Sequence, residues 1–289
     1  MQVGFLGLGT MGLAMATNLL KKDGSVLGWN RSPGPLDDFQ KLGGSVTTAA
    51  ADSLALPISF SMLASDTVCD QVLAPENLTP GTIHVGMASI SPEMADRLTE
   101  RFAAVGATYV SAPVMGRPAV ARAGELNILA GGNAATIEQV EQYLSKMGAK
   151  VWRVAETPRT ANLIKIAVNY NILSAIQTIG ESVALVKSHG VKPEDFIELI
   201  TTTMFDSIVY RGYGAQIAKR DHSEVLFSVE LGRKDLALAI AAAAETGLVL
   251  PTAGAIMEQM DKTLADPELS DKDWAALAEV TIRSNELDS

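Results

Sequence analysis

Gln2-Val3-Gly4-Phe5-Leu6-Gly7-Leu8-Gly9-Thr10-Met11-Gly12-Leu13-Ala14-Met15 is the stretch that decides how this chain folds. Gln2–Leu6 is a short apolar run that glycine ends, which reads as a buried strand. Helical spacing takes over at Met11 and lasts to Lys22. Between the two lies a G-x-G-x-x-G turn. Gly7 permits the tight bend, Gly9 lets the backbone approach a pyrophosphate, and Gly12 lets helix and strand pack closely. The helix start then offers oriented N–H groups and a partial positive charge to phosphate. Leu8, Thr10 and Met11 fill the positions between the glycines.

The pattern repeats outward from there. Ser25–Trp29, Ile58–Leu63, Thr82–Val85 and Thr108–Val110 read as further strands, and Gly34–Leu42, Asp66–Leu73 and Ser91–Val105 as the helices between them. Such alternation means parallel βαβ units with right-handed crossovers. Two more short strands, near Asn127–Leu129 and Lys150–Trp152, flank a helix over Ala134–Lys146. After Pro158 strand signals vanish. Ala161 to His189 is one continuous helical pattern, capped by Gly190 with Pro193 beyond. Helices over Pro193–Thr203, Ile208–Lys219, Val229–Thr246, Pro251–Leu264 and Lys272–Ser284 follow. The expected fold class is α/β: a Rossmann-type doubly wound sheet over residues 1–158, then an all-helical domain over 159–289.

The chain has 289 residues, 47% hydrophobic and 19% charged, with 23 Lys+Arg against 33 Asp+Glu for a net charge of −10. That is globular composition, and the acidic balance argues against nucleic acid and against anionic membrane surfaces as partners. No apolar run approaches the roughly 18 residues that a membrane span needs. The single cysteine, Cys69, cannot form an intrachain disulfide and fits a reducing compartment, the cytoplasm. It lies between Asp66 and Asp70, which disfavour a thiolate, so it reads as structural. The uncharged start Met1–Leu6 does not read as a signal peptide. The histidines His84, His189 and His222 are too scattered for a metal site, and none is expected.

A strand–GxGxxG–helix unit is the fingerprint of dinucleotide binding. A site for NAD carries an acidic residue at the end of the second strand, bonded to the ribose 2′-OH. Here that stretch is Gly28-Trp29-Asn30-Arg31-Ser32-Pro33, without a carboxylate. Arg31 can pair with a 2′-phosphate, and Asn30 and Ser32 add neutral partners. NADP(H) is therefore preferred over NAD(H).

Gly7 to Leu19 also resembles the N-terminal signature of the β-hydroxyacid dehydrogenases, relatives of 3-hydroxyisobutyrate dehydrogenase and of glyoxylate/succinic semialdehyde reductase. Three further blocks occur in the family's order. Ser111-Ala112-Pro113-Val114-Met115-Gly116-Arg117 resembles the substrate-binding segment. Asn162-Leu163-Ile164-Lys165-Ile166-Ala167-Val168-Asn169 resembles the catalytic helix, and Gly232-Arg233-Lys234-Asp235-Leu236 the C-terminal Lys-Asp block. The resemblance covers essentially the whole chain.

Lys165 and Asn169 are four apart, so they share one helix face. A lysine among Leu163, Ile164, Ile166 and Val168 is costly to bury unless it snorkels or does chemistry. Hydride transfer to a carbonyl leaves an alkoxide that needs a proton, which a lysine can donate and reclaim. The resemblance implies that role for Lys165, with Asn169 orienting substrate or lysine. It places Ser89 near the nicotinamide ribose, Met62 and Leu63 along the cofactor, and Lys234 in contact with it. Asp235 is implied to hold a catalytic lysine by a charged hydrogen bond. Phe227 and Tyr210–Gly214 read equally as pocket lining or as core.

The substrate segment departs from the family's Pro-Val-Ser-Gly-Gly. Met115 stands for the serine and Arg117 for the second glycine, so Arg117 either grips a carboxylate or the substrate is not a simple hydroxy acid. The glycines that usually precede the catalytic helix are replaced by Thr157-Pro158-Arg159-Thr160-Ala161. The residues and the resemblance together imply an NADPH-dependent oxidoreductase interconverting a small carbonyl compound and its hydroxy acid. An imine reductase-like enzyme and a non-catalytic NADP-binding sensor or scaffold are the alternatives. The resemblance further implies a homodimer or tetramer.

Overall fold

The structure is a computed structural model and describes residues 1–287. It divides into two compact units, Met1–Lys165 and the chain from Ile166 onward. The first unit is built on nine strands: β1 Val3–Leu6, β2 Val26–Trp29, β3 Ser45–Thr47, β4 Ile58–Ser61, β5 Ile83–Gly86, β6 Thr108–Ser111, β7 Val114–Met115, β8 Leu126–Gly131 and β9 Gly148–Ala155. Their order is β3-β2-β1-β4-β5-β6-β8-β7, with β9 on β8. The strands from β1 to β6 are all parallel. This is the doubly wound order, which reverses between β1 and β4. β6 and β7 pair antiparallel with β8, so the far end of the sheet departs from the all-parallel pattern that the alternation predicts. The reason is β7, a two-residue strand too short to read in the sequence, which carries β6 onward along the same antiparallel register of β8 before the chain turns back through a short helix at Pro118–Ala123.

Helices α1 Thr10–Asp23, α2 Gly34–Lys41, α3 Ala50–Leu54, α4 Asp66–Val72, α5 Pro92–Ala104, α6 Pro118–Ala123 and α7 Ala134–Met147 connect the strands. Period-two alternation sends Val3 and Phe5 of β1 to one face, against Met15 and Leu19 of α1 and Val140 and Leu144 of α7. Leu6 goes to the other, with Leu98 and Phe102 of α5 and Tyr109 of β6. On that second face His84 is fully buried, bonded through Nδ1 to Ser59 Oγ at 2.8 Å and through Nε2 to Ser61 Oγ at 2.9 Å. Burial pushes its imidazole down to about 3, so it sits in the sheet as a neutral ring.

The long helix α8 spans Pro158–Ser188, 31 residues. It starts three residues before the predicted Ala161 because Pro158 suits a first helical turn. Gly190, at φ 82°, ends it, and His189 Nδ1 lies 3.1 Å from the Leu185 carbonyl. Most of α8 belongs to the second unit, with α9 Pro193–Thr203, α10 Ile208–Lys219, α11 Val229–Ala244, α12 Pro251–Ala265 and α13 Leu277–Leu287. Tyr213 and Phe227 meet Trp274 edge-on at centroid distances of 5.9 and 4.7 Å, Tyr213 as a buried core residue and Phe227 half-buried against the same core. The helix read over Lys272–Ser284 is broken at its start. Asp273 Oδ2 accepts the N–H groups of Leu226 and Phe227 and Oδ1 accepts that of Ala275, which holds Trp274–Ala276 in a 3-10 turn before α13. Among the described residues no helix is long and apolar enough to cross a membrane.

Candidate active site

Because β1 to β6 run parallel, their carboxyl ends share one edge of the sheet. The glycine turn follows β1, Asn30–Ser32 follows β2, Met62 and Leu63 follow β4, Ser89 follows β5, and the segment toward Arg117 leaves β6. Backbone hydrogen bonds lock these ends together: Gly7 N–H to Trp29 O at 2.8 Å, Met62 N–H to Leu6 O at 2.9 Å, and Met87 N–H to Ser61 O at 2.8 Å. A ligand of a doubly wound sheet binds outside this edge, where the strand order reverses.

The three glycines are not equivalent. Gly7 has φ +88°, and a Cβ there would stand 2.4 Å from Met62 O. A Cβ on Gly12 would stand 1.9 Å from Gly7 O, with Met62 Cβ beneath it at 3.3 Å. Both are required for the turn to close on Met62. At Gly9 a Cβ would meet nothing within 4 Å, although the residue begins α1 and carries no side-chain cap. The space beside Gly9 is thus open where α1 begins, and the first-turn amides, those of Thr10 and Met11 among them, have no capping side chain from Gly9. That is the shape a pyrophosphate requires, and the residues present fit a bound dinucleotide.

Asn30 fixes the turn from the side. Its Oδ1 accepts Leu8 N–H at 2.9 Å, and its Nδ2 donates to Ser32 O and Ser32 Oγ, each at 3.0 Å. Arg31 and Ser32 are exposed beside it.

Met115 ends β7, and Gly116 (φ +143°) is left no room for a side chain by Leu126 and Val120. Arg117 follows, half-buried, and leads into α6. The buried Asn18 of α1 donates to Ala121 O at 2.7 Å and so ties α6 to the helix of the glycine turn.

The start of α8 closes the first unit. The missing glycines before this helix are compensated from the opposite side. A Cβ on Gly131, at the end of β8, would lie 2.6 Å from Ala161 Cβ and 2.7 Å from Thr157 O. The small residue that allows close approach is thus in the sheet rather than the helix. Arg159 Nη1 binds Asp96 Oδ2 of α5 at 2.5 Å. Asn162, one residue on from Ala161, is buried and donates to Ser111 Oγ at 2.7 Å, and Lys165 follows three residues later, half-buried. Asn162 has no role in the sequence reading, although its signal is there: an amide three residues before Lys165 in an otherwise apolar pattern.

In the second unit the structure brings Asn169, Lys234 and Asp235 together. Asn169 Nδ2 donates to Asp235 Oδ2 at 2.5 Å, with both residues buried. Lys234 Nζ stands 3.1 Å from Asp235 Oδ1, a charge contact without hydrogen-bond alignment. Asn169, expected to orient substrate or lysine, thus has Asp235 as a partner. Among the described residues no group of three or more His, Cys, Asp or Glu is arranged to hold a metal ion.

Residues 2–155 match the family described as the NAD binding domain of 6-phosphogluconate dehydrogenase. Residues 160–281 match that described as the NAD-binding domain of NADP-dependent 3-hydroxyisobutyrate dehydrogenase. An uncharacterised oxidoreductase of Bacillus subtilis is 30% identical over 283 residues, covering 96% of this chain and 98% of the relative. Glyoxylate/succinic semialdehyde reductase 1 of Arabidopsis thaliana is 27% identical, covering 99% of this chain and all of the relative. Among solved structures, 3-hydroxyisobutyrate dehydrogenase of Mycobacterium tuberculosis superposes with a TM-score of 0.86 at 24% identity, covering 96% of this chain and 98% of that one, and shows the same fold. With a pyridine-nucleotide turn, a lysine-bearing helix and both halves of the chain matched in order, the protein belongs to the β-hydroxyacid dehydrogenase family and is an NAD(P)-dependent oxidoreductase acting on CH–OH groups.

Proposed function

We propose that the protein is an NADPH-dependent reductase that interconverts a small carbonyl compound, a semialdehyde or oxo acid, with its hydroxy acid. The observation that carries this reading is the anchorage of Lys165. The helix that bears it is hydrogen-bonded at Asn162 to Ser111, which leads into the substrate segment Met115–Arg117. The first-turn amides of α1 and the turn Gly7–Gly12 hold the pyrophosphate, flanked by Met62, Leu63 and Ser89. Arg31 would take the 2′-phosphate, with Asn30 and Ser32 as neutral partners beside it; Asn30, bonded to Leu8 and Ser32, also holds the turn, and no carboxylate stands at the end of β2 to favour NAD.

When bound, the dinucleotide would supply the hydride that the carbonyl carbon accepts. Lys165 holds its proton at Nζ and delivers it to the oxygen that becomes the hydroxyl; in the reverse direction the amine takes that proton back. Gly116 and Arg117 bind the carboxylate of the substrate, Arg117 by a charge-assisted hydrogen bond. Asn169, Lys234 and Asp235 act together in the second unit, Asn169 and Asp235 on the substrate side and Lys234 on the cofactor side. A lysine at position 165 also favours carbonyl over imine substrates. The protein works as a homodimer or tetramer in the cytoplasm. Supporting this, Met204 and Ile208 leave large apolar side chains 86% and 79% exposed beside Phe205, which light scattering tests directly.

The test is NADPH oxidation with glyoxylate, succinic semialdehyde and a cyclic imine. Turnover of a carbonyl acid, lost by about a hundredfold or more in Lys165→Ala, is the expected result. Tight NADPH binding with no turnover of any of the three would overturn it.

A further inference from the structure

Resting on that reading, we infer that Asn162 is the positioning residue for Lys165, setting the rotation of α8 against the two segments that carry cofactor and substrate. Its side chain is 1% exposed and makes three directed contacts. Nδ2 donates to Ser111 Oγ at 2.7 Å and to Pro158 O at 3.4 Å, and Oδ1 accepts Ile90 N–H at 3.5 Å. Each partner matters through what adjoins it. Ile90 follows Ser89. Ser111 ends β6 and leads to Met115, Gly116 and Arg117. Lys165 lies three residues beyond Asn162, on the same side of the helix. One carboxamide thus joins the three stretches of chain to which the reading assigns cofactor, substrate and acid.

Other contacts already hold α8 on the sheet. Ala161 packs on Gly131, and Arg159 pairs with Asp96. An apolar contact is non-directional and tolerates a small roll of the helix, whereas a carboxamide satisfies donor and acceptor at one rotation only. A roll large enough to move Lys165 Nζ by an ångström would leave Ile90 N–H and Ser111 Oγ without their partner in a buried place. Asn162 therefore adds orientation to a helix whose attachment other residues secure. Its contribution belongs to kcat rather than to cofactor binding.

The experiment compares Asn162→Ala, Ser111→Ala and Lys165→Ala with the wild type, using NADPH with glyoxylate and with succinic semialdehyde. Asn162→Ala is expected to lower kcat by about twentyfold or more per folded molecule, with KM for NADPH within about threefold of wild type. Ser111→Ala, which removes one of the three contacts, is expected to lower kcat severalfold in the same sense. The second readout needs no substrate: in reductively 13C-methylated protein the Lys165 resonance, assigned by its loss in Lys165→Ala, moves in both variants. Wild-type kcat together with an unmoved Lys165 resonance in Asn162→Ala would overturn the inference. So would a rise in KM for NADPH as large as the fall in kcat. Should Asn162→Ala fail to fold, Ser111→Ala and its resonance decide alone. Wild-type turnover by Lys165→Ala sinks the functional reading instead, a result that Asn162 cannot produce. If neither carbonyl turns over, the resonance alone decides about Asn162.

Discussion

Asn30 Oδ1 accepts the amide hydrogen of Leu8 at 2.9 Å, so the end of β2 and the middle of the glycine turn form one hydrogen-bonded unit. The bond spans 22 residues and satisfies a backbone donor of a residue only 1% exposed. The neutral side chain at the position where an NAD site of this fold carries an acid is therefore a structural element of the turn.

Arg31→Ala is expected to weaken NADPH by about tenfold or more while leaving NADH within about twofold, because a charge-assisted phosphate contact is lost and nothing else moves. Asn30→Ala is expected to weaken both dinucleotides alike and to cost about 1–3 kcal/mol of stability, since Leu8 N–H loses its buried partner. Fluorescence titration with each dinucleotide, beside urea unfolding, separates the two cases. Equal losses for NADPH and NADH in Arg31→Ala would refute the cofactor preference.

Gly9→Ala and Gly12→Ala are expected to fail differently. The Gly9 backbone is in a region open to alanine and its added methyl meets nothing, so the fold should keep its melting temperature while NADPH affinity falls about tenfold or more. At Gly12 the methyl would enter Gly7 O, and stability and binding should fall together. Unchanged NADPH affinity in Gly9→Ala would remove the glycine turn from the cofactor site.

His84 makes a pH prediction with a definite sign. Burial holds its folded-state pKa near 3, against an ordinary value of 6.5, so below pH 6.5 the unfolded chain binds a proton that the folded one does not. The stability conferred by the neutral ring is complete above pH 6.5 and is lost progressively as pH falls toward 3, by up to about 1.4 kcal/mol per pH unit. A variant such as His84→Gln should be less stable at pH 7 yet show a flatter dependence between pH 6 and 4 (about one proton fewer taken up on unfolding). Parallel curves for variant and wild type would show that His84 is not the group responsible.

Lower in the acid range, burial pushes the Glu279 carboxyl up, and hydrogen bonds from His222 and Arg220 outweigh it, holding the group at about 2. That contribution is present above the unfolded value of 4.5 and is lost as pH falls from there toward 2. Glu279→Gln should accordingly reduce the acid sensitivity of the second unit in that lower window, read as the midpoint of acid unfolding by circular dichroism.

Gly131→Ala is expected to displace the start of α8, because its methyl would collide with Ala161 Cβ and Thr157 O. A stability loss of about 1–3 kcal/mol and a fall in kcat should follow. Ala161→Gly added to it should restore part of both by removing one of the two collisions. No rescue would mean that the helix start is fixed by Thr157 alone.

The order of the helices after Pro158 and the parallel part of the sheet follow from periodicity, which survives in any fold that buries one face of each element. The short pieces were not legible. β3 and β7 have three and two residues, and α6 has six, too few for a repeat to show. Asp273 likewise reads as a residue inside a helix, whereas its carboxylate accepts three backbone N–H groups from two segments.

By itself the sequence determined the chemistry on offer. The spacing of Gly7, Gly9 and Gly12, the absence of an acid after β2, and a lysine four residues from Asn169 are local facts, because turn geometry and helix pitch act over a few residues. Tertiary structure alone decided which of those residues act on one another. That Asn30 belongs to Leu8, Asn162 to Ser111 and Asn169 to Asp235 depends on partners 22, 51 and 66 positions away. A buried amide is satisfied by whatever donor or acceptor packing brings within about 3 Å, and no local pattern records that.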